Sequence, residues 1–297
     1  MIFENCIILK GIGGFYYVKA ENGKVYECKA RGVFRKERLT PLAGDRADID
    51  ADDETKKGTV IKIYDRKNFL LRPSVANIDK LIIVSSVAEP KPNLTVIDRL
   101  TAQAVDSNIE PVVVFSKCDL ADADEYVSIY KKSGINSFAV SSKTNENTDM
   151  FSDIFKNSVC ALTGNTGVGK SSLLNAIKPE LNLETSHISK KLGRGRHTTR
   201  SVELFELFGG YIADTPGFSA LDFENTQLIT KENMPFCFPE FSQYIGKCKF
   251  ISCAHVNDKG CAVIEAVKNG IIPVSRHQSY CIMYDEVKSH KTWQDKK

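Results

Sequence analysis

The chain has 297 residues, 42% hydrophobic and 26% charged, with a formal net charge of +3. That length accommodates more than one core, the composition is ordinary for globular protein, and no run approaches the roughly 18 consecutive apolar residues of a membrane span. The opening Met1-Ile2-Phe3-Glu4-Asn5 lacks the basic-then-apolar pattern of a signal peptide, so a cytoplasmic protein with no membrane partner is expected.

The first seventy or so residues read as short strands. Tyr16-Tyr17-Val18 and Val25-Tyr26 flank Asn22-Gly23, which predicts a tight hairpin turn with positive φ at both central residues. Pro41 and Gly44-Asp45 mark further turns, and Thr59–Ile63 reads as another strand. About five short strands in this length suit a small closed β-barrel, an OB-fold of the kind that binds RNA. An SH3-like barrel fits the same pattern.

The rhythm changes at Arg72-Pro73. Leu81–Val84 is a continuous apolar run of the buried parallel-strand type. A helix is expected over Leu94–Asp106, then strands at Pro111–Phe115, Ser137–Val140, Val159–Leu162 and Tyr211–Ala213. Strands alternating with helices predict an α/β domain with a mostly parallel sheet, whose ligands sit at the carboxyl ends of the strands. The expected segments are 1–71 (barrel), 72–225 (α/β) and 226–297.

Three strand ends carry chemistry. The second expected strand runs into Ser116-Lys117-Cys118-Asp119. A carboxylate there can accept from both N1–H and the exocyclic amine of guanine, a donor pair that adenine lacks. The Lys117 stem can lie over the base. This is the N-K-x-D pattern of GTPases with Ser116 in place of Asn, which removes an amide and leaves one hydroxyl; guanine selectivity with modest affinity is expected. Ser141-Ser142-Lys143 follows the next strand, where a backbone N–H would meet guanine O6.

After Val159–Leu162 comes Gly164-Asn165-Thr166-Gly167-Val168-Gly169-Lys170-Ser171, then Ser172-Leu173-Leu174 opening a helix. This is the phosphate loop G-x-x-x-x-G-K-[ST]. Its glycines let successive N–H groups point at phosphate oxygens, and the helix N-terminus adds its positive end. Lys170 is expected to reach the β- and γ-phosphates, and the Ser171 hydroxyl to ligate Mg²⁺.

From Thr185 to Arg200 there are five Lys or Arg residues and no acid, which reads equally as a solvated face or a nucleic-acid surface. Beyond it, Tyr211–Ala213 ends in Asp214-Thr215-Pro216-Gly217. Asp214 can hold Mg²⁺ through water, and the Gly217 N–H can bond the γ-phosphate.

The chain carries nine cysteines. Their odd number and scatter do not suit a disulfide framework. Cys6, Cys28, Cys118, Cys160, Cys237 and Cys281 are expected to be buried small hydrophobes. Cys248, Cys253, His255 and Cys261 instead fall within fourteen residues, which suits one closed structural Zn²⁺ site of the Cys₃His type. After that cluster the expected regular structure is a helix from Cys261 to Lys268, ending at Gly270.

Base recognition precedes the phosphate loop here, the reverse of the usual GTPase order. A circular permutation accounts for it, because domain termini tend to lie close together. Taken together, these motifs resemble the RsgA family of circularly permuted GTPases. The resemblance also rests on Gly11-x-x-Gly14-x-Tyr16-x-Val18, Cys28-x-Ala30-Arg31-Gly32-x-Phe34-Arg35 and Gly195-Arg196-His197-Thr198-Thr199-Arg200.

The resemblance implies an OB-fold, a permuted P-loop GTPase domain and a zinc-binding domain, with GTP or GDP, Mg²⁺ and one Zn²⁺ as ligands. It further implies a monomer that binds the small ribosomal subunit and its rRNA late in assembly and leaves after hydrolysis. Ras-like enzymes place a water-orienting glutamine just after D-x-x-G; this chain has Phe218. Slow intrinsic hydrolysis, accelerated by the subunit, is therefore expected. His197 is a candidate to position water, or else an RNA-phosphate contact, and Thr198 or Thr199 to close on Mg²⁺. The competing reading is a nucleotide-gated RNA-binding placeholder whose hydrolysis is incidental. An ATP-dependent kinase is disfavoured by Asp119.

Overall fold

A computed structural model of the chain describes residues 1–36, 39–71, 74–179, 202–214 and 229–289. The chain divides into two compact units. The first is Met1–Lys80, Met150–Leu162 and the described part of 187–218; the second is Leu81–Asp149, the described part of 163–186 and that of 219–297.

In the first unit, β1 (Ile2–Ile12), β2 (Phe15–Lys19), β3 (Val25–Ala30), β4 (Arg46–Ala51) and β5 (Lys57–Ile63) form a closed barrel. The order is β1-β2-β3-β5-β4, and β4 returns to pair with β1. The β3–β5 pair is parallel and the others antiparallel. This closed five-strand Greek key is the OB-type arrangement. Alternate residues of each strand point inward, filling the barrel with Cys6, Ile8, Val18, Tyr26, Cys28, Ile49 and Val60.

The β2–β3 hairpin falls where expected, but its turn differs. Only Gly23 of the Asn22-Gly23 pair takes a positive φ, at 77°. Ala20 N–H donates to Lys24 O, Gly23 N–H to Ala20 O and Lys24 N–H to Asn22 Oδ1. The loop is longer than a two-residue primed turn, and the Asn22 amide donates instead to Tyr26 Oη at 2.9 Å.

A short helix, α1 (Gly32–Lys36), and a small hairpin of β6 (Phe69–Leu71) and β7 (Ser74–Ala76) complete the amino-terminal part. The second unit begins with β8 (Lys80–Ser86), α2 (Leu94–Asp106), β9 (Glu110–Ser116), α3 (Asp124–Lys132) and β10 (Asn136–Val140). These strands lie in the order β10-β9-β8, with β9 and β10 parallel. The apolar runs bury as such runs should: Leu81, Ile82, Val112, Val113, Val114 and Phe115 are all inaccessible to solvent. Helix α2 has the bounds the sequence predicts, with Asn93 Oδ1 capping it by accepting from Val96 N–H.

α4 (Met150–Phe155) returns the chain to the first unit, where β11 (Val159–Thr163) pairs in parallel with β13 (Gly210–Asp214). β13 forms an antiparallel hairpin with β12 (Glu203–Leu207), a strand that the sequence pattern did not announce. Its turn, Phe208-Gly209, takes positive φ at both residues, 49° and 73°. In the second unit again are α5 (Lys170–Ile177), two 3-10 turns (Met234–Cys237 and Pro239–Phe241), α6 (Ala262–Lys268) and α7 (Val274–Ser289). The 16-residue α7 is the longest described helix and was not expected. Of the six cysteines expected to be buried, Cys6, Cys28, Cys160 and Cys237 are; Cys118 and Cys281 are partly exposed. Cys118 follows a strand end and Cys281 lies on a helix face, so neither is enclosed.

Candidate nucleotide and metal sites

Glycines make the phosphate loop possible. Gly164, Gly167 and Gly169 take φ of 146°, 85° and 93°, the region that only glycine enters without strain. A Cβ on Gly164 would lie 2.2 Å from Val84 O, so any other residue would push the loop off β8. Gly169 is the N-cap of α5, and Leu173 N–H donates to its carbonyl at 2.9 Å. The loop thus delivers the N-terminus of α5, with its unpaired N–H groups, to whatever binds.

Lys170 folds over this loop, donating to Gly164 O and, at 2.9 Å, to Asn165 O. Burial lowers its pKa, because the ammonium is held by carbonyls rather than by an anion. A phosphate arriving at the loop would supply that charge. Ser171 is 7% exposed, at the first turn of the helix.

The Ser116–Asp119 segment is tied to the same loop. Ser116 Oγ is 2.5 Å from Val168 O and 3.3 Å from Ser85 O. With one proton to give, it donates to Val168. Lys117, in a left-handed conformation (φ 63°), sends its ammonium to Gly167 O at 2.8 Å and to Glu89 O. Its side chain therefore reaches across to the loop. The departure from Asn at 116 costs an amide but leaves a direct bond between strand end and phosphate loop.

Asp119 is exposed, and its Oδ1 accepts the Ser141 hydroxyl at 2.7 Å, which fixes one carboxylate oxygen. The Ser141 N–H donates to Glu146 O, and those of Lys143 and Thr144 donate to Ser141 Oγ. Among the described residues this leaves the Ser142 N–H as the candidate donor to guanine O6. Cys118 N–H donates to Val140 O, holding the two turns side by side. Of the other expected ligands, Asn165, Thr166 and Ser172 lie in the loop and the first turn of α5.

Asp214 ends β13, in register with Glu203. Gly217, His197, Thr198 and Thr199 lie outside the described residues.

The Cys/His cluster comes together as its spacing predicts. One ligand atom from each of Cys248, Cys253, His255 and Cys261 lies within 4.8 Å of all the others. Bond lengths of about 2.3 Å for Zn–S and 2.0 Å for Zn–N put the edges of a tetrahedron at ~3.8 Å (S–S) and ~3.5 Å (S–N). Cys248 and Cys261 sulfurs are 3.8 Å apart, and His255 Nδ1 lies 3.5 Å and 3.4 Å from them. The donor set fits Zn²⁺, with no position left for water. Burial lowers the His255 pKa and keeps the imidazole neutral, the form that ligates.

Neighbours hold the ligands in place. Ala262 N–H approaches Cys248 Sγ at 3.3 Å, His277 Nε2 approaches His255 O at 2.7 Å, and Tyr280 Oη donates to Ala254 O at 2.7 Å. Behind them Phe238, Phe241, Val263, Ile272, Tyr280 and Met283 form a buried cluster that includes Ala102 of α2.

Sequence reasoning missed a second feature of this unit. Arg276 of α7 is inaccessible to solvent. Its Nε donates to Glu240 Oε1 at 2.7 Å, and one terminal nitrogen donates to Asp98 Oδ1 at 2.7 Å and Thr101 Oγ1 at 3.0 Å. Tyr130 Oη donates to the same Asp98 oxygen at 3.0 Å. Burial alone would lower the guanidinium pKa, but the Asp98 and Glu240 carboxylates outweigh it and hold it up. Helix α7 is thereby fastened to α2 and α3. A lone arginine in a polar stretch gives no sign of this.

Phosphate loop, the Ser116–Asp119 turn tied to it and motif order together define a P-loop nucleotide-binding protein of permuted sequence order. Residues 63–224 match the family described as RsgA GTPase, and residues 5–60 match the RsgA N-terminal domain. The chain belongs to the RsgA GTPase family, and a GTPase uses a guanine nucleotide with Mg²⁺.

It is 42% identical over 290 residues to the small ribosomal subunit biogenesis GTPase RsgA of Geobacillus sp. (strain WCH70), covering 96% of this chain and 97% of that one. The protein of that name from Caldanaerobacter subterraneus subsp. tengcongensis is 44% identical over 285 residues, covering 95% of each. Among solved structures, YjeQ from Thermotoga maritima aligns at 33% identity with a TM-score of 0.83, over 98% of this chain and 100% of that one. YloQ, described as a circularly permuted GTPase, aligns at 33% identity with a TM-score of 0.81, over 98% and 96%.

Proposed function

We propose that this GTPase acts on the small ribosomal subunit late in its maturation, binding it with GTP and leaving once GTP is hydrolysed. The observation that carries the nucleotide part is the direct tie between base-reading turn and phosphate loop, Ser116 to Val168 and Lys117 to Gly167. The subunit part is supported by the names of relatives that match nearly end to end.

In this reading Asp119 and the Ser142 N–H read guanine, with Lys117 over the ring. Backbone N–H groups of Gly164–Ser171 cradle the phosphates, Lys170 neutralises the β- and γ-oxygens, and Ser171 and Asp214 hold Mg²⁺. Ser116 keeps the two halves of the site together. Gly217 senses the γ-phosphate, and Thr198 or Thr199 closes on the metal. His197 positions water when the subunit is bound, which compensates for Phe218. Cys248, Cys253, His255 and Cys261 hold one structural Zn²⁺. The enzyme works as a cytoplasmic monomer, with domains at 1–71, 72–225 and 226–297. No described helix is long and apolar enough to cross a membrane.

GTP turnover measured alone and with purified small subunits tests this. Slow turnover that rises on adding subunits is expected; equal rates would remove the ribosomal part.

A further inference from the structure

β1 has two partners along one edge. Its beginning pairs with β4, from Ile2↔Asp50 to Ile7↔Arg46, and closes the barrel. Between Ile8 and Lys10 its register against β2 shifts. A bulge of this kind bends a strand and re-aims its side chains. Beyond it, Lys10 pairs with Glu203 of β12, and Glu203 pairs in turn with Asp214 of β13. Lys10, Glu203 and Asp214 therefore stand in one row across three strands, running from the barrel to the aspartate that ends β13.

Side chains reinforce the row. Lys10 Nζ is 2.7 Å from Glu203 Oε1, and both side chains are largely shielded, at 26% and 20% exposure. The ammonium also lies 5.1 Å above the Tyr17 ring. A second pair joins Lys19 of β2 to Glu206 of β12, and Lys19 lies over Tyr211 of β13. Partial shielding gives the Lys10–Glu203 pair more weight than a free surface pair.

We infer that Lys10 and Glu203 are positioning residues for Asp214: the ion pair fixes the row of β12 against which the Asp214 end of β13 is hydrogen-bonded, and so ties metal holding to the barrel. The inference rests on Asp214 as a Mg²⁺-holding residue. Removing Lys10 leaves a largely shielded Glu203 carboxylate in the row without its cation. Removing the Glu203 charge frees Lys10 and loosens the strand.

The test is the Mg²⁺ dependence of GTP hydrolysis at saturating GTP, with thermal unfolding followed in parallel. Lys10→Met and Glu203→Gln are each expected to raise the half-saturating Mg²⁺ concentration by about tenfold, as loss of a group supporting a metal ligand does. Lys10→Arg should restore it. Lys19→Met, which acts away from the row, should shift it less. Variants that lower the melting temperature yet keep the wild-type Mg²⁺ dependence would overturn the inference. Mg²⁺-independent hydrolysis by the wild type would instead remove the underlying role of Asp214.

Discussion

Replacing Lys170 with alanine is expected to lower GTP turnover by about 10²-fold or more, the loss seen when a preorganised donor to transition-state charge is removed. Burial pushes the Lys170 pKa down, and its ammonium rests on the carbonyls Gly164 O and Asn165 O. Triphosphate oxygens are better partners than these carbonyls, because donor and acceptor are then both charged. Because charge on the phosphates shifts during transfer, the contribution is larger in the transition state than in the bound ground state. Lys170→Ala should therefore reduce kcat more than it raises KM, and Lys170→Arg should not rescue it, since a planar fork does not fit where a point charge sits. Steady-state kinetics check both; a Lys170→Ala enzyme within a few-fold of wild type would contradict the site.

The second large effect concerns folding. Arg276→Met is expected to destabilise the protein by about 3–5 kcal/mol, the cost of breaking a buried ion pair by removing one partner. Asp98 is inaccessible and Glu240 is 8% exposed, so both carboxylates would be left without their cation. Burial and the Asp98 carboxylate push the Tyr130 phenol well up, so it remains a donor but cannot replace the guanidinium. Asp98 Oδ2 already lacks a partner among the described residues, which adds to the cost. Adding Asp98→Asn and Glu240→Gln to Arg276→Met should recover much of the loss, because the triple variant buries no net charge. Denaturant melts of the single and triple variants decide this. A triple variant no more stable than Arg276→Met would mean that packing around the side chain, rather than charge, holds α7.

These two residues also mark what a sequence discloses. Lys170 was legible because its chemistry is local: eight contiguous residues carry the glycines, the cation and the hydroxyl. The Cys248, Cys253, His255 and Cys261 cluster was legible for the same reason, since four donors within fourteen residues constrain spacing directly. Helix α2 was legible to within its bounds, and the structure shows Asn93 capping its start.

Arg276 was not legible, since its partners Asp98 and Glu240 are distant in sequence and nothing local distinguishes it from a solvated arginine. It also hid its helix. The buried positions of α7 include Arg276 and Ser279, so polar residues interrupt the apolar stripe that announces a helix. The hairpin turns carry a similar lesson. Asn22-Gly23 has the composition of a primed turn but takes a longer loop, whereas Phe208-Gly209 lacks that composition and adopts positive φ at both positions. Phe208 is held there by tertiary structure: its ring lies 6.5 Å from that of Phe155, and a Cβ on Gly210, two residues on, would fall 1.9 Å from Phe155 O. Without that hairpin β12 could not be placed, and so the row from Lys10 to Asp214 was invisible too.

The central claim is that a turn placed before the phosphate loop in sequence reads the base of the nucleotide that loop holds. Relative affinity for GTP and XTP in wild type and Asp119→Asn measures this directly. Xanthine replaces the exocyclic amine of guanine with a carbonyl, so an aspartate loses an acceptor contact there while an asparagine amide gains a donor contact. Wild type is predicted to prefer GTP and Asp119→Asn to prefer XTP, each by about 10-fold or more, since the wrong base leaves a polar group at the contact without its partner. An Asp119→Asn protein that still prefers GTP would contradict it.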